Sequence, residues 1–502
     1  MVDVIKVQKR DNISLQIDCD KGIAMELDEF FSFFVPGYKF IPSYKNKVWD
    51  GKIRLFQRRN YQLPVGLYDH LQKFTKTRGY NLDLIEGSEG YPNSKNDVTP
   101  EEIYTFIQEL NLNSKGKPIQ VRSYQFEAIY HGINDKRRIL LSPTGSGKSL
   151  IIYVLLRWFL ATHDDKVLVV VPTTSLVEQM LNDFDDYSSH DETFSKEDCH
   201  TIFSGRPKTN IQQRVVISTW QSIFNLPTTW FDPFGCIVGD EVHGFKSKSL
   251  TSIMNKSRHA SHRWGTTGTL DGTQVHELVL QGLFGRTLNV VTTKELQEND
   301  VLAQLDISIL VLEHPQEIRK EFGKRTYQDE IDYIVRNEPR NHFVRNLALD
   351  LNGNTLILFQ FVEKHGKPLY QDIIKNAKEG RKIFFVAGET ESSDREAIRH
   401  IVETQKDSII VASMGVFSTG INIRNLHNII FPSPSKSQIR VLQSIGRGLR
   451  KSDNNQSTRL FDIVDDLHWK DRKNFAMLHG VHRMSVYDKQ GFRYNIYKVK
   501  LD

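Results

Sequence analysis

Apolar residues along this 502-residue chain come in short unbroken runs and in helical spacings, and the two alternate. The runs Ile139–Leu141, Val167–Val171, Val215–Ile217 and Cys236–Val238 are each followed by a stretch with apolar positions three and four apart. Strands buried on both faces read as continuous apolar runs, so the chain from residue 121 onward predicts a doubly wound parallel sheet. A second set at Leu356–Phe361, Lys382–Val386, Ile409–Val411 and Ile429–Phe431 predicts another sheet in tandem. The expected fold class is α/β, with two parallel-sheet domains behind a smaller α/β module. In that module residues 3–18 alternate as two strands around a turn at Lys9–Asn12, and Ile23–Phe34 carries helical spacing. Residues 86–97, rich in Gly, Ser, Asn and Pro, read as a linker; Thr99, Pro100 and Glu102 then spell the start of a helix with a capping box. Phe492–Val499 alternates as a last strand. The domain boundaries drawn from these patterns are 1–95, 96–295, 296–470 and a C-terminal extension, 471–502.

Composition changes this picture in one place. With 39% hydrophobic and 25% charged residues the chain has an ordinary globular balance, and 66 basic against 61 acidic residues leave a net charge of only +5. Any affinity for nucleic acid must therefore be local. Between Pro36 and Tyr80 it is: Lys39, Lys45, Lys47, Lys52 and Arg54 are interleaved with Tyr38, Phe40, Tyr44 and Trp49. Basic groups neutralise phosphates and aromatic faces stack on bases, which makes Lys39, Lys45, Lys47, Trp49, Lys52 and Arg54 candidate nucleic-acid contacts. Aromatics filling a core beneath water-facing lysines would give the same mixture. Cys19, Cys199 and Cys236 are too widely spaced for a disulfide framework or a metal set, as expected in a reducing compartment. The N-terminus has no apolar signal core and Arg157 interrupts the most apolar helix, so neither export nor a membrane span is expected and the cytoplasm is the expected location.

The candidate chemistry begins at Ser142-Pro143-Thr144-Gly145-Ser146-Gly147-Lys148-Ser149, between an apolar strand and the helical stretch Leu150–Leu160. Gly145 and Gly147 allow the tight turn that lines backbone N–H groups around phosphate oxygens. Lys148 is placed to reach the β- and γ-phosphates and Ser149 to ligand Mg²⁺, so ATP and Mg²⁺ are the expected cofactors. Ser142 stands where the general pattern has its first glycine. Asp240-Glu241-Val242-His243 follows the run Cys236–Val238; Asp240 is assigned to the metal and Glu241 to the attacking water. Gln443-Ser444-Ile445-Gly446-Arg447-Gly448-Leu449-Arg450 carries two arginines on one helix face. They can point at charge developing on a γ-phosphate, or can simply end a solvated helix whose dipole favours cations.

Together with Thr266-Thr267-Gly268-Thr269, these motifs resemble in order and spacing those of superfamily 2 DExH helicases. The resemblance spans roughly residues 120–465. It implies two RecA-like domains, Arg122 and Gln125 reading adenine, Pro143 to Ser149 and Gly420 touching nucleotide, and Arg447 and Arg450 acting as fingers in cis from the second domain, across ATP bound between the two. It further implies strand contacts from Thr173, Thr174, Thr219 and Thr419, coupling through Thr267 and Thr269, and catalytic roles for His243 and Gln443 beside Lys148, Asp240 and Glu241. Asn422 stands where many members carry the ribose-binding Asp. Within the superfamily, Tyr38–Pro42, Trp49–Leu55 and Val411–Gly420 are similar to phage helicases of branched DNA. That similarity implies fork regression, branch migration and R-loop unwinding in recombination and repair, in a bacterial host's cytoplasm. The partners it implies are branched, forked or duplex DNA, RNA in R-loops, and recombination or single-strand-binding proteins. Two other expectations share the same motor: the ATPase of a nuclease or restriction system, and an RNA-duplex-binding ATPase clamp.

Overall fold

The computed structural model of the chain describes residues 3–85, 96–203, 205–270, 273–299, 301–322, 325–416, 423, 425–433, 457–472 and 474–501. The chain divides into two compact units, Met1–Ser142 with Gly147–Val290, and Val291–Asp502 with Pro143–Ser146. Each unit holds one seven-stranded sheet, parallel throughout. In the first the spatial order is Cys199–Ile202, Val215–Thr219, Lys166–Val171, Phe234–Asp240, His262–Thr267, Arg137–Leu141, Thr287–Asn289. In the second it is Lys382–Val386, Ser408–Ser413, Thr355–Phe359, Asn428–Phe431, Thr458–Asp466, Leu305–Glu313, Tyr494–Lys500. Numbered along the chain within each sheet, both read 3-4-2-5-6-1-7. These are two tandem RecA-like domains, with a small α/β subdomain in front.

The apolar runs form strands for the expected reason: Val167 to Val171 and Val215 to Val216 are buried on both faces. His262–Thr267 is equally buried but polar, and carried no apolar signal. Its two largest side chains find partners inside, with Arg263 Nη2 donating to the Ser257 carbonyl at 2.7 Å and Trp264 Nε1 to the Gly132 carbonyl at 2.8 Å. The helix expected at Ile23–Phe34 is shorter. It spans Lys21–Phe30 under an Asp20 cap, and Ser32–Phe34 instead pairs antiparallel with Lys52–Arg54. Phe30, Phe31, Phe33 and Phe34 suit either period over so short a stretch, and strand pairing decides. The capping box of Thr99 and Glu102 forms, with Thr99 N donating to Glu102 at 2.7 Å. Tyr494–Lys500 is the seventh strand of the second sheet, in parallel register with Leu305–Glu313. The helix before it, Phe475–Lys489, buries Arg483 and Tyr487 against Asp462.

The N-terminal subdomain orders its strands Gln62–Pro64, Ser14–Asp18, Val4–Lys9, Asn81–Leu84. Ile5, Val7, Leu15 and Ile17 alternate onto one face and pack with Leu27, Leu71 and Phe74 of the helices Lys21–Phe30 and Tyr68–Arg78. Leu278 completes this core from outside: it lies on the helix Gln274–Phe284, whose Leu280, Leu283 and Phe284 belong to the core of the sheet domain. His70 Nε2 meets Gln281 Oε1 at 2.7 Å, Arg286 pairs with Asp69, and Arg137 donates to the Asn12 carbonyl. Gly66 makes the closest approach, since a Cβ there would lie 1.9 Å from the Gln281 carbonyl oxygen. Gly66→Ala is therefore expected to push the two layers apart and cost about 1–3 kcal/mol, read as a lower midpoint in denaturant unfolding. An unchanged midpoint would mean that the subdomain is not seated on this helix.

Candidate nucleotide-binding site

Strands Phe234–Asp240, His262–Thr267 and Arg137–Leu141 are neighbours, so the loops that follow them leave the same C-terminal edge of the first sheet. Ligands bind at that edge in open α/β sheets. The loop after Arg137–Leu141 turns through Gly145 (φ +87°) and Gly147 (φ +84°) and enters the 15-residue helix Lys148–Thr162. Ser146 Oγ closes the turn on the Pro143 carbonyl at 2.8 Å. Ser142 N donates to the Thr267 carbonyl at 2.9 Å, which pins the loop to the adjoining strand. Gln125 packs against Gly147 so closely that a Cβ there would be 2.4 Å from its Nε2; its Oε1 accepts from Arg122 N at 3.0 Å. The turn thus presents a helix N-terminus, which favours anions, with the expected adenine-reading glutamine beside it.

Lys148 Nζ donates to the Ser142 carbonyl at 3.3 Å and stands 3.6 Å from Glu241 Oε1. Glu241 adopts a left-handed backbone (φ +52°), a conformation that costs a non-glycine residue energy and recurs at functional sites. Its Oε2 lies 3.2 Å from His243 Nδ1, which is in turn 3.0 Å from Thr267 Oγ1. Thr267 Oγ1 is 3.0 Å from the Thr269 carbonyl, and the Thr269 hydroxyl is buried without a hydrogen-bond partner among the described residues. Asp240 Oδ1 accepts from Thr266 Oγ1 at 2.7 Å and from Glu241 N at 3.0 Å. Burial, and then the charge of Glu241, push the Asp240 carboxyl above its ordinary range; Lys148 opposes them. Lys148, Asp240, Glu241, His243, Thr267 and Thr269 are thus brought into one cluster. Thr266 belongs to it as well, although its sequence signal was only its place in the Thr-Thr-Gly-Thr motif. Ser149 Oγ lies 2.8 Å from the hydroxyl of Tyr187, a residue that no motif marks.

Thr173 follows one more strand at this edge and Thr219 ends another. The first caps the helix Thr174–Tyr187 and the second bonds Ser222 Oγ at 2.9 Å. In the subdomain, Lys39, Lys45, Lys47 and Trp49 line a surface depression of about 630 Å³. Trp49 Nε1 donates to the Lys52 carbonyl at 2.8 Å, Lys52 Nζ sits 4.9 Å from the Phe34 ring centre, and Arg54 is paired with Asp50. The aromatics of this stretch divide. Phe56 and Tyr68 are core, whereas Phe40 is 79% exposed beside the lysines. Thr419, Gly420, Asn422, Gln443, Arg447 and Arg450 lie outside the described residues.

Residues 4–84 match the family model for the N-terminal region of DNA helicase UvsW. Residues 118–271 match that for the res subunit of type III restriction enzymes, and 340–452 that for the helicase conserved C-terminal domain. Over 513 aligned residues the chain is 34% identical to the ATP-dependent DNA helicase uvsW of Enterobacteria phage T4, spanning 99% of this chain and 100% of that one. The chain belongs to the UvsW family of superfamily 2 DExH-type helicases. The crystal structure of T4 UvsW aligns over the whole of both chains at 33% identity with a TM-score of 0.52. A putative HsdR subunit of a type I restriction enzyme from Vibrio vulnificus shares the fold over 88% of this chain and 84% of its own, at 14% identity and a TM-score of 0.58. As a member of this family the chain is an ATP-driven enzyme whose partner is nucleic acid, and its motifs imply ATP binding. Among the described residues no helix is long and apolar enough to cross a membrane.

Asp240 and Ser149 suit a hard divalent cation in chemistry, offering a carboxylate and a hydroxyl oxygen. Among the described residues no cluster of three or more His, Cys, Asp or Glu could hold a metal unaided, which is the pattern when phosphates and waters complete the shell. The raised Asp240 carboxyl also has a consequence for stability. A folded-state pKa above the ordinary 3.8 means that stability falls as pH rises through that interval. Asp240→Asn should therefore melt at a higher temperature than wild type at pH 7 without nucleotide or metal, the gap shrinking toward pH 4, while ATP turnover slows about a hundredfold or more. A lower melting point at pH 7 would refute the electrostatic reading.

Proposed function

We propose that this protein is an ATP-dependent DNA helicase and translocase that remodels branched DNA, through fork regression, branch migration and R-loop unwinding. The observation that carries the reading is the joining of two features in one unit: the Lys148–Glu241–His243–Thr267 cluster, and a basic, aromatic subdomain seated on the helix that follows the cluster's third loop. The full-length match to a phage DNA helicase supports it.

In this reading Lys148 leaves Glu241 for the β- and γ-phosphates when nucleotide enters, since a phosphate is a stronger partner than a carboxylate 3.6 Å away. Glu241, released on that side and still held by His243, orients the attacking water and accepts its proton. Ser149 and Asp240 would hold Mg²⁺, which when bound neutralises charge on the phosphates. His243 and Thr267 touch both the water-orienting carboxylate and the Thr269 loop, so loss of the γ-phosphate is felt at that loop. Lys39, Lys45, Lys47 and Lys52 meet the phosphates of a duplex or junction arm, with Trp49 and Phe40 beside them for bases or sugars.

Lys148→Ala or Glu241→Gln is expected to lower DNA-stimulated ATP hydrolysis by about two to four decades while DNA binding survives. Persistent turnover in pure Glu241→Gln protein would remove the assignment. Replacing Lys39, Lys45 and Lys47 together with Ala should weaken forked-DNA binding and flatten its salt dependence by about 0.9 in the log–log slope for each phosphate left unneutralised. Equal slopes would place the DNA elsewhere. Breaks accumulating in a plasmid incubated with ATP and Mg²⁺ would instead favour the motor of a nuclease.

A further inference from the structure

Tyr187 has no part in the chemistry derived above, yet its hydroxyl lies 2.8 Å from Ser149 Oγ. It is the last residue of the 14-residue helix Thr174–Tyr187, and its ring packs 5.6 Å from that of Tyr153, one turn past Ser149 on the phosphate-loop helix. On the assignment of Ser149 as the hydroxyl ligand of the nucleotide's divalent cation, we infer that Tyr187 is a positioning residue for that cation, donating its O–H to Ser149 Oγ and holding the serine rotamer in place.

The donor count permits this. A serine hydroxyl has two lone pairs and one proton. Tyr187 takes one lone pair, the other is left for a cation, and the serine proton remains free for a phosphate oxygen. Burial, and then the charge of Asp183, push the Tyr187 phenol up to about 12, so it keeps its proton throughout the neutral range. Without such a partner a serine side chain is free to sample three staggered rotamers. The same helix end also steadies the adenine side. Asp186 accepts from Ser114 Oγ and from Lys115 N, each at 2.7 Å, in the hairpin Asn113–Ser114 with Lys117–Pro118, from which the chain runs on to Arg122 and Gln125. One helix terminus therefore touches both the phosphate-loop helix and the hairpin that precedes Arg122 and Gln125.

The test is equilibrium binding of a fluorescent non-hydrolysable ATP analogue to the full chain, titrated with Mg²⁺ and repeated in EDTA, alongside thermal melting. Tyr187→Phe keeps the ring and removes only the donor. It is expected to raise the Mg²⁺ concentration for half-maximal enhancement about tenfold, as outer-shell partners of metal ligands do, with EDTA affinity and melting temperature unchanged. Ser149→Ala should shift the titration at least as far, and the double variant no further than Ser149→Ala alone, because the tyrosine then has nothing to orient. If Tyr187→Phe titrates as wild type while Ser149→Ala does not, the role of Tyr187 is overturned and that of Ser149 stands. If Ser149→Ala also titrates as wild type, the ligand assignment fails and carries this inference with it. Lowered melting together with equally weakened binding in EDTA would identify Tyr187 as packing only, and overturn the positioning role.

Discussion

Asp240 and Glu241 bring two carboxylates to the end of a single strand, and Lys148 faces them from a neighbouring loop. Burial and mutual repulsion make this costly: Asp240 is pushed above the usual carboxylate range even with a lysine in reach. Such an arrangement persists only where the surroundings over-determine it. Here Thr266 holds Asp240, the left-handed backbone of Glu241 turns its carboxylate toward Lys148 and His243, and the Ser142 N–H ties the phosphate loop to Thr267. On the proposed reading, a cation with polyphosphate would relieve the repulsion between the two carboxylates and take over the lysine.

The second sheet holds a buried carboxylate on the same topology and pairs it differently. Both sheets share one strand order, and in the second Asp465 lies near the C-terminal end of the sixth strand. Burial would raise its pKa, but Arg340, with Nε 2.7 Å away, and His314, at 3.0 Å, hold it down to about 2. Arg340 also reaches the Pro432 carbonyl, at the end of the neighbouring fifth strand. Asp465 is thus paired from within, as a buried carboxylate requires. At the first sheet's edge two neighbouring carboxylates, Asp240 and Glu241, are instead met by Lys148 and His243.

Much of this was legible in the sequence because the chemistry is local. A phosphate loop needs its glycines and lysine adjacent, and Asp240-Glu241-Val242-His243 comes directly after an apolar run, so each motif could be placed at a strand end, and the two strands prove to share one edge of the first sheet. The helicase motifs also carried the family. What escaped has a common cause. His262–Thr267 is a buried strand of mostly polar residues, with Arg263 and Trp264 bonded to buried carbonyls, and pattern reading recognises burial only through apolar residues. His262 itself is buried among the rings of Phe159, His163 and Trp264, and burial above all drives its pKa down to about 3. Tyr187 is 38 positions from Ser149 and meets it only through helix packing. The aromatics of the N-terminal stretch could not be sorted into core and surface until strand pairing fixed which way each ring faced.

Leu278 raises a point that no motif contains. The helix that carries it starts a few residues after Thr269 and is buried on both sides, by the sheet domain through Leu280, Leu283 and Phe284 and by the N-terminal subdomain through Leu278 itself. Exposing one such leucine costs about 1.5–3 kcal/mol, and the Gly66 approach and the Asp69–Arg286 pair would go with it. Packing thus holds the subdomain on this helix. Its lysines belong to the same body as Lys148. A phosphate backbone held by them would keep a fixed place relative to the nucleotide loop, and a displacement of the Thr267–Thr269 turn would have to carry this helix with it or break the burial on one of its faces.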